Sequence, residues 1–294
     1  MPRTAGGAFT LADDDRTPRA RRWGCLVTLA LVAVTALGGW WGVRRAVDAW
    51  SPTSCEVRAG GKSFTWAPDQ ASNSAVITAI ALRRGMAPRA ATIAIATALQ
   101  ESKVRNITFG DRDSVGLFQQ RPSQGWGTVE QIMNPEYSSN AFYDALEKVP
   151  DWENADIAHA AQQVQRSADG SAYAQHEAKA RVTASVLAGY SPAGIGCRLD
   201  APKTPGSPQA LVTLIAEDHG VAARVEGNQV VIDGATDEQA WSLASWGVAR
   251  AIDTGVTAVV LGDQQWTRSK SGSALTWHGA GTPVGARTVV LSLG

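Results

Sequence analysis

The residues of this sequence best suited to catalysis are one carboxylate and the side chains of one amide-rich turn. Glu101 stands at the end of an apolar segment, Pro88 to Gln100, whose pattern predicts a buried helix. Burial and the negative end of a helix dipole both disfavour a charged carboxylate, so the pKa of Glu101 should be raised. A carboxyl group with a raised pKa can act as a general acid near neutral pH.

The turn that begins at Gly116 reads Gly-Leu-Phe-Gln-Gln-Arg. Glycine permits close approach of the backbone, and the two apolar residues after it can anchor the turn in a core. Gln119, Gln120 and Arg121 then offer donors and acceptors suited to hydroxyl and amide groups of a sugar. Trp126 is either a platform that stacks on a sugar ring or a packed loop anchor.

Most glycosidases need a second carboxylate as nucleophile or base. The nearest candidates, Asp111 and Asp113, lie in a turn-like Gly-Asp-Arg-Asp-Ser segment, where side chains usually cap turns or face solvent. A single acid suffices when the substrate brings its own nucleophile, as the 2-acetamido group of an N-acetylated sugar does. Glu101 can therefore serve as the one protein acid if the substrate supplies its own nucleophile.

The pair Glu101-Ser102, followed by Gly116-Leu-Phe-Gln, resembles the Glu-Ser … Gly-Leu-Met-Gln signature of soluble lytic transglycosylases and goose-type lysozymes. The longer segment 116–127 also resembles lysozyme-like domains of actinobacterial cell-surface proteins. The resemblance covers residues 68–190. It implies a lysozyme-like fold, peptidoglycan as substrate, Glu101 as the catalytic acid/base and Ser102 as part of the substrate-binding site.

The third motif of that family, Ala-Ala-x-Tyr-Asn, is altered here. Its place is taken by the segment 160–165, Ala-Ala-Gln-Gln-Val-Gln, which has no Tyr-Asn pair. In the family that tyrosine helps to orient the acid. We expect Gln162 or Gln165 to replace it, and both are therefore predicted to belong to the site.

These observations support two functional hypotheses. The first is a membrane-anchored enzyme that cleaves peptidoglycan glycan strands, as a lytic transglycosylase that leaves an anhydro end or as a lysozyme that adds water. The second, suggested by the altered third motif, is a non-catalytic cell-wall-binding or scaffold protein with a degenerate lysozyme-like domain.

An uncharged segment, residues 23–43, has the length of a transmembrane helix. Four arginines lie between residues 16 and 22, just before it, which predicts a single-pass protein of the cell membrane with a cytoplasmic N-terminus and extracellular main domains. The alternative is a cleaved signal peptide, for which Val34-Thr35-Ala36 could serve as the cleavage site.

An extracellular location favours a disulfide between Cys55 and Cys197 over two free thiols. Cys25 lies inside the apolar segment, and the histidines and cysteines show no metal-ligand spacing, so we predict no metal and no cofactor. The formal net charge is zero, which gives no reason to expect a nucleic-acid partner.

The expected fold is a mainly α lysozyme-like domain, a small α+β C-terminal domain and one N-terminal transmembrane helix. The α+β domain contains no motif that indicates catalysis. It could instead bind a protein partner. The predicted boundaries are a disordered tail at 1–22, the membrane span at 23–43, a linker at 44–59, the lysozyme-like domain at 60–199, a Pro/Gly-rich linker at 200–207 and the α+β domain at 208–294.

Overall fold

The first strands of the fold pair with a strand that comes much later in the chain. The computed structural model describes residues 51–165 and 171–294, together with the single positions Gly39 and Val43. β1 (Ser54–Ala59) turns through Gly60 and Gly61 into β2 (Lys62–Trp66). Both glycines have positive φ, as a tight two-residue hairpin requires. β3 (Ile195–Arg198) pairs with the other edge of β1, which gives an antiparallel sheet in the order β2-β1-β3.

Helices occupy most of the chain between β2 and β3. The most buried is α2, which packs against α1, α5 and α7. Proline opens α1, α2 and α4, where its missing N–H costs no helical hydrogen bond. The helices are α1 (Pro68–Arg83), α2 (Pro88–Ser102), α3 (Val129–Ile132), α4 (Pro135–Leu146), α5 (Ile157–Gln165), α6 (Ser171–Ala174) and α7 (Glu177–Leu187).

A second antiparallel sheet follows, with helices on one of its faces. Its six strands lie in the order β4-β5-β9-β6-β7-β8. The helices α9 and α10 run between β5 and β6, and α9 contacts β6 and β9 as well as α1 and α7. The elements are α8 (Pro208–His219), β4 (Arg224–Glu226), β5 (Gln229–Asp233), α9 (Asp237–Ala249), α10 (Ala251–Thr254), β6 (Val256–Leu261), β7 (Gln264–Thr267), β8 (His278–Gly279) and β9 (Thr288–Leu293).

The fold class expected from the sequence is wrong. The structure is mixed α/β, with 45% helix, 18% strand and two antiparallel sheets, rather than a mainly α domain with a small α+β addition. The sequence analysis did not predict the strands β1, β2 and β3. Each is short, and β1 pairs with a partner far along the chain, which no local pattern reveals. The predicted linker 44–59 contains β1.

Residues Pro52–Gly294 form one compact unit, and the parts on either side of the predicted linker 200–207 are in direct contact. The Trp277 indole N–H donates to the Ile195 carbonyl at 2.7 Å. The Ser242 hydroxyl donates to the Leu187 carbonyl, also at 2.7 Å. Because these contacts are buried, both sheets and the helices between them share one continuous apolar core.

The predicted disulfide is confirmed. Cys55 on β1 lies directly opposite Cys197 on β3, both side chains are fully buried, and their sulfur atoms are bonded. The bond closes a loop with a sequence separation of 142 residues, which holds the helices between β1 and β3 within a covalent frame.

The predicted tail 1–22 and membrane span 23–43, with its alternative cleavage site, lie outside the described residues, apart from Gly39 and Val43. Within the part of the chain that the structure describes, no helix is both long enough and apolar enough to cross a bilayer.

Candidate active site

The end of α2 is reversed sharply just after Glu101. Lys103 and Val104 both have a φ of 57°, in the left-handed region, which is unusual for the β-branched Val104. Two side chains of α1 stabilise this reversal. The Gln70 amide donates to the Lys103 carbonyl at 2.7 Å, and the Asn73 amide donates to the Val104 carbonyl at 2.9 Å. The position of Glu101 is therefore set by α1 as well as by its own helix.

The turn 116–120 packs against this helix end. Gly116 has a φ of 81°, and a side chain there would meet the Ile132 carbonyl oxygen at 2.9 Å, so glycine is required. Leu117 and Phe118 are fully buried, and the Phe118 ring stacks on Phe142 with centroids 4.6 Å apart. The anchoring role expected for these two apolar residues is confirmed.

Hydrogen bonds join the turn to the helices around it. The Ser102 hydroxyl donates to the Leu117 carbonyl at 2.7 Å, which ties α2 to the turn. The Gln165 amide on α5 donates to the Phe118 carbonyl at 2.7 Å. These two bonds bring α2, the turn and α5 together beside Glu101.

The Glu101 carboxylate is half-buried and contacts two neutral donors. The Tyr173 hydroxyl on α6 donates to Glu101 Oε1 at 2.8 Å, and the Gln165 side chain is also hydrogen-bonded to the carboxylate. Burial raises the pKa of Glu101 above its ordinary value, and the two hydrogen bonds oppose that rise because they stabilise the ionised form. The raised pKa expected from the sequence is confirmed.

A polar cluster on the solvent side joins α2 to the segment before α7. The Gln100 side-chain oxygen lies 3.0 Å from His176 Nε2 and accepts a hydrogen bond from the Gln175 amide at 3.4 Å. Burial, aided by the nearby charge of Lys179, lowers the pKa of His176. These contacts hold the chain that carries Tyr173 against the end of α2.

The other side chains predicted to bind substrate fall into two groups. Ser102 and Gln120 are buried and form internal hydrogen bonds, Gln120 through its amide to the Ser138 carbonyl at 3.0 Å. Gln119 and Arg121 are partly exposed. The Gln119 amide donates to the carbonyls of Phe109 and Gly116, each at 3.3 Å.

Three further predicted residues lie at different places around α5. Gln165 contacts the carboxylate, and Gln162 is half-buried on the same helix. Trp126 packs one side against the core and lines a separate groove, to which neither Glu101 nor Gln165 contributes. Of the residues predicted to bind substrate, Gln165 contacts the Glu101 carboxylate.

The acidic residues weighed as a second carboxylate have other contacts. Asp113 accepts hydrogen bonds from Arg121 Nε at 2.8 Å and from the Ser123 backbone N–H at 2.8 Å, and these hold the pKa of Asp113 far below its usual range. Asp111 is almost fully exposed. Across residues 51–165 and 171–294, no cluster of three His, Cys, Asp or Glu side chains that could hold a metal ion occurs.

Tyr173 is the site residue that sequence reasoning missed. It is buried, with 2% of its surface exposed, and its hydroxyl reaches Glu101 from α6 rather than from the third-motif helix α5. The available signal was a tyrosine within the apolar segment Ala-Tyr-Ala, just beyond the altered motif. Its spacing from Gln165 could not indicate which way the hydroxyl points.

Compared with models of protein families and with curated protein sequences, the chain matches none. The interpretation of the site therefore rests on its geometry and on the motifs quoted above.

Proposed function

We propose that this protein cleaves peptidoglycan glycan strands with Glu101 as the general acid. The observation that carries the proposal is the environment of the carboxyl group, which is half-buried, has a raised pKa and is oriented by Tyr173 and Gln165. A carboxyl group whose pKa is raised by burial and whose position is fixed by neutral donors is suited to protonating a leaving oxygen.

The proposed reaction follows from the single acid. Protonated Glu101 donates its proton to the bridging oxygen between N-acetylmuramic acid and N-acetylglucosamine as that bond breaks. The acetamido group of the substrate stabilises the oxocarbenium-like centre, so no second protein carboxylate is needed. Glu101, now ionised, accepts hydrogen bonds from Tyr173 and Gln165 and then takes a proton from the attacking hydroxyl group. That hydroxyl belongs to the sugar in a transglycosylase and to water in a lysozyme.

In this proposal Tyr173 takes the orienting role that a motif-three tyrosine has in the family. The buried disulfide supports a location outside the cytoplasm, where disulfides persist and where cell-wall glycan is accessible. Anchoring by residues 23–43 stays a prediction from sequence.

The test compares the full-length protein with its Glu101→Gln variant on purified cell-wall sacculi. Loss of a general acid should lower the rate of solubilisation by about 10²- to 10⁴-fold. Glu226→Gln makes the same chemical change at an exposed residue of β4, and its rate should stay unchanged. Mass spectrometry of the products distinguishes anhydro ends from reducing ends. Equal solubilisation by the Glu101→Gln variant would contradict the proposal, and binding to sacculi without any turnover would favour the scaffold alternative.

A further inference from the structure

A groove lies between α4 and α5, beside the loop that carries Trp126. Its volume is 480 Å³, within the range of about 300–1,000 Å³ that small-molecule sites occupy. The side chains that define it are Trp126, Tyr137, Lys148, Gln163, Gln124 and Asp144.

The groove faces away from Glu101. Gln163 lines it, whereas Gln165, on the same helix, contacts the Glu101 carboxylate. Two residues along an α-helix are separated by about 200° around its axis, so the two glutamines point to opposite sides of α5. The groove and the candidate active site are thus two separate surfaces that share one helix.

The two aromatic side chains of the groove are positioned by a glycine. Gly127 has a φ of 126°, and a Cβ atom there would lie 2.6 Å from the Tyr137 hydroxyl oxygen. Only glycine therefore allows the Trp126 loop to approach Tyr137 so closely. The Trp126 ring packs one side against the core and lines the groove, which limits its motion and makes it a suitable stacking surface.

Several polar side-chain atoms around these rings form no hydrogen bond within the part of the chain that the structure describes. Considering the described residues alone, no hydrogen bond or ion pair is formed by the side-chain polar atoms of Trp126, Tyr137, Lys148 and Gln163, whereas Asp144 is bound to Arg84 at 2.7 Å. The groove therefore presents aromatic surface, free donors and one uncompensated positive charge. In the cavity lined by residues 200–207, by contrast, the cationic side chain already has partners. The guanidinium of Arg268 there donates to the carbonyls of Asp200, Ala251 and Val256.

We propose that this groove is a second, non-catalytic carbohydrate site that binds an N-acetylated glycan strand bearing carboxylates. Aromatic rings stack on the apolar faces of sugar rings, amides and hydroxyls match acetamido groups, and Lys148 is placed to pair with a carboxylate of the strand. The choice of glycan rests on the proposed function. Binding here would hold one part of a strand, or a neighbouring strand, on the far side of α5 while Glu101 acts on another.

The experiment measures binding by calorimetry to the full-length Glu101→Gln variant, in which turnover is blocked. The probes are an N-acetylglucosamine hexasaccharide, which is neutral, a peptide-free oligomer of N-acetylglucosamine and N-acetylmuramic acid, whose lactyl groups carry free carboxylates, and the free stem peptide. Trp126→Ala should weaken binding of both glycans by about 10- to 100-fold, the range expected for exposing one buried ring. Lys148→Gln should weaken binding of the muramic acid oligomer alone, by up to about fivefold, the range of an exposed ion pair.

Lys148→Gln also covers the possibility that Trp126→Ala fails to fold, because Lys148 is exposed and its side chain forms no hydrogen bond or ion pair within the described residues. Lys62→Gln, at an exposed lysine of β2, is the matched control and should leave binding of all three probes unchanged.

The outcomes separate the two proposals. If the groove variants bind both glycans as tightly as the parent while Glu101→Gln still abolishes cleavage, the groove inference is overturned and the proposed function stands. If Glu101→Gln cleaves sacculi normally but the groove variants lose binding, the proposed function is overturned and the groove inference stands. If Lys148→Gln weakens binding of the stem peptide and leaves binding of the peptide-free muramic acid oligomer unchanged, the groove binds peptide and the glycan assignment is wrong.

Discussion

Replacing Tyr173 by phenylalanine removes one hydroxyl group from the environment of Glu101 and leaves the buried ring in place. That hydroxyl donates to Glu101 Oε1 at 2.8 Å, and the bond lowers the pKa of the carboxyl group against the effect of burial. A hydrogen bond to a charged group contributes about 1.5–3 kcal/mol. If Glu101 becomes ionised as the glycosidic bond breaks, most of that energy is available only in the transition state.

The expected consequence is a fall in kcat of about 10- to 150-fold, with little change in KM. The pKa of Glu101 should also rise further, because the ionised form has lost a donor. The alkaline limb of the profile of kcat/KM against pH should therefore move to higher pH, since Glu101 must be protonated to act. The assay is solubilisation of sacculi by the full-length protein over a range of pH, with the substrate concentration varied at each pH.

Tyr143→Phe is the matched control. The Tyr143 hydroxyl is also buried and donates to the Ile77 carbonyl at 2.8 Å, but it makes no contact with Glu101. This variant should lose about 0.5–1.5 kcal/mol of stability from the lost hydrogen bond, because the Ile77 carbonyl lies inside α1 and keeps its helical partner, and it should keep the pH profile of the parent. A Tyr173→Phe variant that keeps its alkaline limb in place and its kcat within about twofold would refute the argument that Tyr173 acts through Glu101.

Three further predictions concern stability, measured by urea unfolding. Replacing both Cys55 and Cys197 by serine should cost about 2–5 kcal/mol, because the bond closes a loop of 142 residues in the unfolded chain; a smaller loss would mean that the unfolded state is already compact. Gly189→Ala should cost about 2–4 kcal/mol, since its Cβ would lie 1.9 Å from a carbonyl oxygen of α9. Gly85 also has a positive φ but open space around it, so Gly85→Ala should cost about 1 kcal/mol. Equal losses in the two variants would contradict the clash at Gly189. Glu101→Gln should gain stability relative to the parent as pH rises, because the parent loses stability as pH rises through the raised pKa of Glu101. A stability difference between variant and parent that stays constant with pH would show that burial does not raise that pKa.

A local pattern predicted the helix that leads to Glu101. The segment Pro88 to Gln100 was expected to form a buried helix, and α2 spans Pro88–Ser102 with most of its residues buried. The pattern is a run of apolar residues opened by a proline, which is a local property of the sequence.

The same patterns could not distinguish side chains that face the site from side chains that hold it together. Ser102 and Gln120 have the polar groups of substrate-binding residues, yet both are buried and bonded to backbone carbonyls. Trp126 has the aromatic ring of a sugar-binding residue, but it lines a groove on the opposite side of α5. Residue type indicates what a side chain can bind, and only the packing of neighbouring elements decides what it meets.

The sequence by itself indicated the candidate carboxylate Glu101, the turn beside it and the cysteine pair. Glu101 at the end of an apolar helix and two cysteines that enclose the helical region are local or compositional features. Tertiary structure alone decided that Tyr173 reaches the carboxylate from α6 and that the strands around residues 54–66 and 195–198 form one sheet. The physical reason is that hydrogen bonds and strand pairs between distant segments depend on how helices pack, which no short stretch of sequence encodes.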